Sequence, residues 1–192
     1  LARLLAEPGR LVSQEDVTRL RGWAQRRASR EPLAYILGQT YFAGLVFATG
    51  PGCLVPRPDS EILVETAWQI ISGQLAVPKH KIQLLDTFTG SGCIGISLAL
   101  RLNRNGIPFW LELVDSDERA LAWARKNVAT HGLADKCRLS RADIFPEKAG
   151  PFDLITANPP YIATGQIAGL MAEVKDHEPR AALDGSPDGL YF

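Results

Sequence analysis

The chain has 192 residues, with 21 Lys+Arg against 21 Asp+Glu, a formal net charge of zero and 46% hydrophobic residues. Such a composition belongs to ordinary globular proteins and excludes disordered, collagenous and coiled-coil chains. No apolar run approaches the roughly 20 residues that span a bilayer, no signal-peptide pattern opens the chain, and the missing basic surplus argues against nucleic-acid binding by phosphate neutralisation.

Residues 1–31 read as helical. Ser13 stands before QEDVTRLRGWAQRRA with Asp16 three positions on, an N-cap followed by a carboxylate at the positive end of a helix. Val17, Leu20, Trp23 and Ala24 form one apolar stripe. Arg19, Arg21, Arg26, Arg27 and Arg30 line the rest, as a solvated face or, less simply, a contact for an acidic partner. Residues 32–58 are rich in aromatic and β-branched residues, with Gly44 at a turn, and predict a hairpin and an extended lead-in. Pro56 and Pro58 bias Val55 and Arg57 away from helix. Asp59 is then the expected N-cap of SEILVETAWQII, and Gly73 its stop.

Residues 81–161 alternate. KIQLLD is a strand, CIGISLALRL a helix, FWLELVD a strand, and ERALAWARKNVATHG a helix ended by Gly132. CRLSRAD and FDLITAN are further strands. This alternation predicts βαβ units and a parallel sheet, whose ligands sit beyond the carboxyl ends of the strands. Residues 162–192 read mostly as loop. Cys53, Cys93 and Cys137 are far apart with no C-x-x-C pair, so free buried thiols are expected in a reducing cytoplasm, with no disulfide and no metal site. The chain opens on Leu1 and stops at Phe192 after a loop-like stretch, and reads as a segment of a longer protein.

The strand ends carry the chemistry. The first closes on Asp86, followed by Thr87-Phe88-Thr89-Gly90-Ser91-Gly92. Glycines there let the backbone approach a ligand closely. Gly90, Gly92 and Gly95 match G-x-G-x-x-G, but an acid closes the strand and separates it from Gly90, which suits a cationic ligand group better than a pyrophosphate. The second strand ends in Asp115, placed to accept hydrogen bonds from ribose hydroxyls. The third ends in Asp143, beside Ile144 and Phe145, where a carboxylate meets an adenine amino group; a turn residue is the competing reading. The fourth ends in Asn158-Pro159-Pro160-Tyr161. Two prolines fix the backbone and remove two donors, leaving the Pro159 carbonyl rigid beside the Asn158 side-chain oxygen. Two fixed acceptors suit the two hydrogens of a planar –NH₂ group, with Tyr161 packing on its face.

At these residues the chain resembles the class I S-adenosylmethionine-dependent methyltransferases, and more narrowly the HemK/PrmC family of protein-(glutamine-N5) methyltransferases. The resemblance covers roughly residues 32–192 in five ordered blocks: PLAYILGQTYFAGLVFATGPGCLVPRPDSEILVE, LLDTFTGSGCIGISLAL, VDSDERALAWARKN, FDLITANPPYI and EVKDHEPRAALDGSPDGL. It implies an α/β fold: a Rossmann-like class I methyltransferase sheet with helices on both faces, incomplete at its C-terminal side here, preceded by a helical remnant and a β-hairpin. By the same resemblance, residues 1–31 would end a release-factor-binding helical domain, 32–58 would be hairpin and linker, and 59–192 the methyltransferase domain. The implied cofactor is S-adenosyl-L-methionine, held by Asp86, Thr89, Gly90, Ser91, Gly92, Asp115, Asp143, Ile144 and Asn158. The implied substrate is the glutamine of a Gly-Gly-Gln loop in class 1 release factors, gripped by Asn158, Pro159, Pro160 and Tyr161, with Asn158, Pro159 and Tyr161 as the catalytic set. No membrane and no direct nucleic-acid contact are implied.

Two positions and the strand count depart from the family pattern. Phe88 replaces a frequent glycine, and its ring would either crowd the methionine part of the cofactor or point away. Ser186 replaces the second glycine of a late D-G-G segment. Four strands are visible where such sheets normally have seven, so the rest are expected beyond Phe192. His177 reads as a surface histidine rather than a general base. Competing functions are an amino methyltransferase of adenine or guanine in nucleic acid, a non-catalytic relative that binds release factor or ribosome, and, more distantly, an NAD-dependent oxidoreductase.

Overall fold

The computed structural model describes residues 13–74, 81–147 and 150–192. The readings made for residues 1–12 lie outside it. Helix α1 (Gln14–Ala28) starts at Ser13, whose hydroxyl accepts from the Asp16 N–H and donates to its carboxylate. Its apolar stripe is not buried among the described residues: Leu20 is 51% exposed. The arginines are largely spoken for within the chain. Arg19 pairs with Asp16, Arg26 with Glu31, and Arg27 and Arg30 both with Glu173. A short helix α2 (Leu33–Leu37) leads into the hairpin β1 (Gln39–Phe42) and β2 (Leu45–Ala48). Ala43 and Gly44, at φ 49° and 74°, make the tight turn that suits the twist of paired strands.

The expected cap at Asp59 is instead part of a 3₁₀ turn over Pro58–Ser60, with Arg57 capping it. Helix α3 (Glu61–Gln74) follows and runs through Gly73 rather than stopping there. A single glycine near a helix end costs only about 1 kcal/mol, which packing overrides.

The main sheet comprises β3 (Ile82–Thr87), β4 (Phe109–Asp115), β5 (Cys137–Arg141) and β6 (Leu154–Ala157), all parallel, in the order β5-β4-β3-β6. Helices α4 (Cys93–Arg104) and α5 (Glu118–Thr130) are the crossovers, and α3 packs on α4. β3 and β4 are almost wholly buried, so they read as continuous apolar runs. Ile96, Leu98, Leu102, Leu111 and Leu113 are at most 1% exposed and form the centre of the core with Phe42 and Phe47 of the hairpin. Gly95 lets α4 lie close to the sheet: a Cβ there would meet Asp86 and Leu113 at 2.8 Å. Strand order reverses between β3 and β6. That switch point opens a crevice beyond the strand ends. A short helix, α6 (Ala172–Lys175), lies in the chain after β6. No helix among the described residues is long and apolar enough to cross a membrane.

Candidate active site

The order of strands sets the order of the groups that follow them. Asp143, Asp115, the loop 88–92 and Asn158 follow, or in the case of Asp115 close, β5, β4, β3 and β6, neighbouring strands that lie ~4.8 Å apart. A cleft of about 860 Å³, partly open to solvent, runs along this row and is lined by all four stations. A second cleft of about 1170 Å³ adjoins it. Leu54, Arg57, Ser60, Asn158 and Ala182 line both.

The loop after β3 is held from three sides. Thr89 donates its backbone N–H to the Val114 carbonyl (2.9 Å) and its hydroxyl to Asp86 (2.6 Å). Gly90, at φ 55°, donates its N–H to Asp115 Oδ2 at 2.8 Å. Gly92 adopts φ 80° and caps α4. Behind the loop, the buried Asn127 of α5 donates to the Ser91 carbonyl and pairs with both the N–H and C=O of Ala48 in the hairpin. Asn127 escaped sequence reasoning; a polar residue on the inner face of a helical pattern was the available signal.

Asp86 does not reach the cleft, contrary to its expected role opposite a cationic ligand group. It is 1% exposed and accepts from Thr89, Thr156 and the Gly95 N–H at 2.6, 2.6 and 3.2 Å. Burial pushes its carboxyl up to about 6, against the opposing pull of those three donors. Its work is to brace the loop. Asp115 does line the cleft. It accepts from Gly90 and from the Asp117 N–H at 2.9 Å, and burial raises its pKa above the ordinary range. Each oxygen keeps a lone pair, enough for two hydroxyls. Asp143 lines the outer end and is exposed. Ile144 does not line the cleft; its carbonyl takes the Thr87 hydroxyl at 2.7 Å. Ser91 is buried in the wall, with its hydroxyl beside the Cys93 thiol.

Phe88 lines the cleft rather than turning from it. Its φ is +56°, a left-handed conformation, and its ring meets that of Phe192 edge-on at 4.8 Å. Ser186 likewise has φ +74°. Both positions at which the family pattern has glycine therefore keep a glycine-like backbone.

The Asn158-Pro159-Pro160-Tyr161 turn lies between the clefts. Pro160 faces the first, Pro159 and the exposed Tyr161 the second, and Asn158 both. Asn158 Nδ2 faces Ser60 Oγ at 3.5 Å, while neither Asn158 Oδ1 nor the Pro159 carbonyl has a hydrogen-bond partner among the described residues. The late loop braces the turn. Ile162 donates to the Leu183 carbonyl at 3.0 Å and accepts from Gly185 at 2.9 Å. A Cβ on Gly189, which has φ 78°, would come 2.5 Å from the Tyr161 carbonyl, so that position requires glycine. His177 lines neither cleft and contacts the Ser29 carbonyl. Missed in the sequence as cleft residues were Arg57 and Ser60. The paired prolines around Arg57 were the signal, since they force an extended backbone. No cluster of three or more metal-ligating side chains is found among the described residues.

Residues 60–177 match the family described as Methyltransferase small domain, and residues 1–38 match the PrmC N-terminal domain. The release factor glutamine methyltransferase of Geobacter sulfurreducens is 41% identical over 182 residues, covering 94% of this chain and 60% of that protein. Those of Bradyrhizobium diazoefficiens and Thermodesulfovibrio yellowstonii are 40% and 37% identical over 98% and 94% of this chain, each covered over 62% of its own length. The chain thus spans about three fifths of the curated relatives it matches. Among solved structures, the catalytic domain of human METTL16 with an RNA hairpin overlaps 74% of this chain and 48% of its own, with TM-score 0.48 and 20% identity. By its domain match over residues 60–177, the chain belongs to the methyltransferase small domain family, and over residues 1–38 it is similar to the PrmC N-terminal domain.

Proposed function

We propose that the protein methylates the side-chain amide nitrogen of a glutamine, in the Gly-Gly-Gln loop of a peptide-chain release factor, using S-adenosyl-L-methionine in the cytoplasm. The observation that carries this reading is the pair of free acceptors, Asn158 Oδ1 and the Pro159 carbonyl, on the wall between two adjoining clefts. The relatives named above are release factor glutamine methyltransferases, which favours an amide substrate over a nucleobase. The internal pairing of Arg26, Arg27 and Arg30 also counts against a nucleic-acid surface.

The cofactor supplies a methyl group on a sulfonium, already activated for transfer. The left-handed Gly90 and Gly92 and the spare lone pairs of Asp115 fit a nucleoside with a flexible tail. Asp115 holds the ribose, Asp143 borders the base, and Thr89, Gly90, Ser91 and Gly92 form the loop against which the tail lies. Asp86 acts one step back, through Thr89 and Gly95. Asn158 and Pro159 accept the two amide hydrogens and so hold the nitrogen in line. They also stabilise the positive charge that grows on those hydrogens as the nitrogen is alkylated. Tyr161 packs on the planar amide. The departing proton is assigned to water: among the residues that line both clefts, Arg57 is the one titratable side chain, and it is paired with Glu178. Residues 1–31 are proposed to end the helical domain that meets the release factor, 32–58 to be the hairpin and linker, and 59–192 the methyltransferase domain.

Asn158→Ala tests this. Losing one preorganised acceptor is expected to lower the transfer rate on a Gly-Gly-Gln substrate by about 100-fold. Calorimetric cofactor affinity should change little. Collapse of cofactor affinity instead would remove Asn158 from the substrate-gripping role.

A further inference from the structure

The first cleft is electrically lopsided. Asp143, Asp115 and Asp117 lie at its β5 and β4 end, and Arg57 is the one Lys, Arg or His among its lining residues, at the β6 end with Asn158. Arg119 stands behind Gly52, but its guanidinium is committed to Asp117 at 2.7 Å. Arg57 is placed with care. Glu178, whose side chain is 1% exposed, receives one Arg57 Nη at 2.6 Å and the Val55 N–H at 3.0 Å. A buried carboxylate so engaged fixes the guanidinium, and burying it is affordable only because the partner cation is present. One nitrogen is thereby used. Arg57 Nη1 and Nε have no hydrogen-bond partner among the described residues, and the side chain, 37% exposed, lines both clefts.

We infer that Arg57 binds the α-carboxylate of the methyl donor, with Glu178 as the residue that positions it; this rests on the methyl-transfer reading above. The strand order fixes the sense of the ligand. With the base by Asp143 and the ribose by Asp115, the sulfonium falls at the loop after β3, and the amino-acid tail continues toward β6. There it meets a guanidinium with two free donor nitrogens, the geometry that recognises a carboxylate. Arg57 also borders the substrate cleft, so the same contact sets the tail against the wall that carries Asn158.

The test is calorimetric titration of the protein with S-adenosylmethionine and with decarboxylated S-adenosylmethionine, which lacks only the carboxylate. Arg57→Gln, Arg57→Lys and Glu178→Gln are compared with the unmodified chain. The unmodified protein is expected to prefer the carboxylate-bearing ligand by about tenfold or more. Arg57→Gln should lose most of that preference while keeping its affinity for the decarboxylated ligand. Arg57→Lys should keep part of it, and Glu178→Gln should weaken it with a smaller effect. Equal affinity of the unmodified protein for both ligands overturns the assignment and leaves the methyl-donor cleft standing. So does an Arg57→Gln variant that raises only the KM for a Gly-Gly-Gln substrate, which would move Arg57 to the substrate cleft. Binding of neither ligand overturns the methyl-donor reading itself, and this assignment with it. Should Arg57→Gln not fold, Arg57→Lys decides: an undiminished preference there, at unchanged thermal stability, also overturns it.

Discussion

Phe88 and Ser186 are two of the four non-glycine residues held at positive φ among the described residues, with Arg30 and Ala43. Both sit at positive φ, 56° and 74°, where a side chain costs about 1–2 kcal/mol. Ser186→Gly should therefore stabilise the protein by about 1 kcal/mol, read as a rise in Tm. Phe88→Gly gains the same relief but loses the edge-on ring contact with Phe192, worth about 0.5–1.5 kcal/mol, so its Tm should barely move. A Ser186→Gly variant no more stable than the parent would mean the surrounding loop has already relaxed the strain. Both residues stood out in the sequence as departures; that their backbones remain left-handed is a tertiary fact no residue pattern states. Asp86 is the other residue whose behaviour follows from its surroundings. Its pKa rises from 3.8 to about 6 on folding, so between those values the native state binds more protons than the unfolded one. Stability from this group then falls as pH rises from about 4 to 6, by at most about 3 kcal/mol. Thermal melts across that window should show a smaller loss in Asp86→Asn than in the parent. Equal slopes would place the titration elsewhere.

At the level of elements, the alternating strands and helices were legible because each is amphipathic or wholly apolar with sharp stops. Gly132, at φ 67° just past α5, is such a stop. Less legible were features that depend on what lies across the chain. Gly73 has the form of a terminator yet lies within α3, and the stripe on α1 finds no burial among the described residues. The site divides the same way. Asp115, Asp143 and the Asn158 turn stand at the cleft because strand ends are readable, whereas Asp86 and Ile144 face other partners. Asn127 shows why. Its amide joins three elements by three hydrogen bonds of 2.7–2.9 Å, linking the hairpin to the loop after β3. Asn127→Ala would orphan Ala48 N–H, Ala48 C=O and the Ser91 carbonyl, costing about 3 kcal/mol or more. Chemical denaturation should register that loss, and amide exchange should show the loop at 89–92 opening more readily. A loss below about 1 kcal/mol would mean that water replaces the amide.

At the scale of the whole molecule, the two ends of the described chain are tied together. Arg27 of α1 and Arg30 just past its end both grip Glu173, at 2.7 and 2.6 Å, and His177 meets the Ser29 carbonyl. Glu173 lies in α6 between Met171 and Val174, which line the second cleft. The arginine pair thus fixes the wall against which a substrate would lie, and the side-chain hydrogen bond from Arg27 holds the Glu173 carboxyl down at about 2. A carboxyl lowered from 4.5 stabilises the fold above pH 4.5 and loses that contribution as pH falls toward 2. Because these arginines are exposed, the pairing is also weakened by salt. Glu173→Gln should therefore speed hydrogen exchange in α1 and α6 at low ionic strength and neutral pH, with little effect on β3 or β4. The difference from the parent should shrink at about 1 M salt, where screening reaches roughly 3 Å. Exchange that rises equally in α1 and in the central strands would show that the contact supports the fold as a whole rather than the groove wall. A difference that survives high salt would assign the effect to packing of the Glu173 stem and not to its charge.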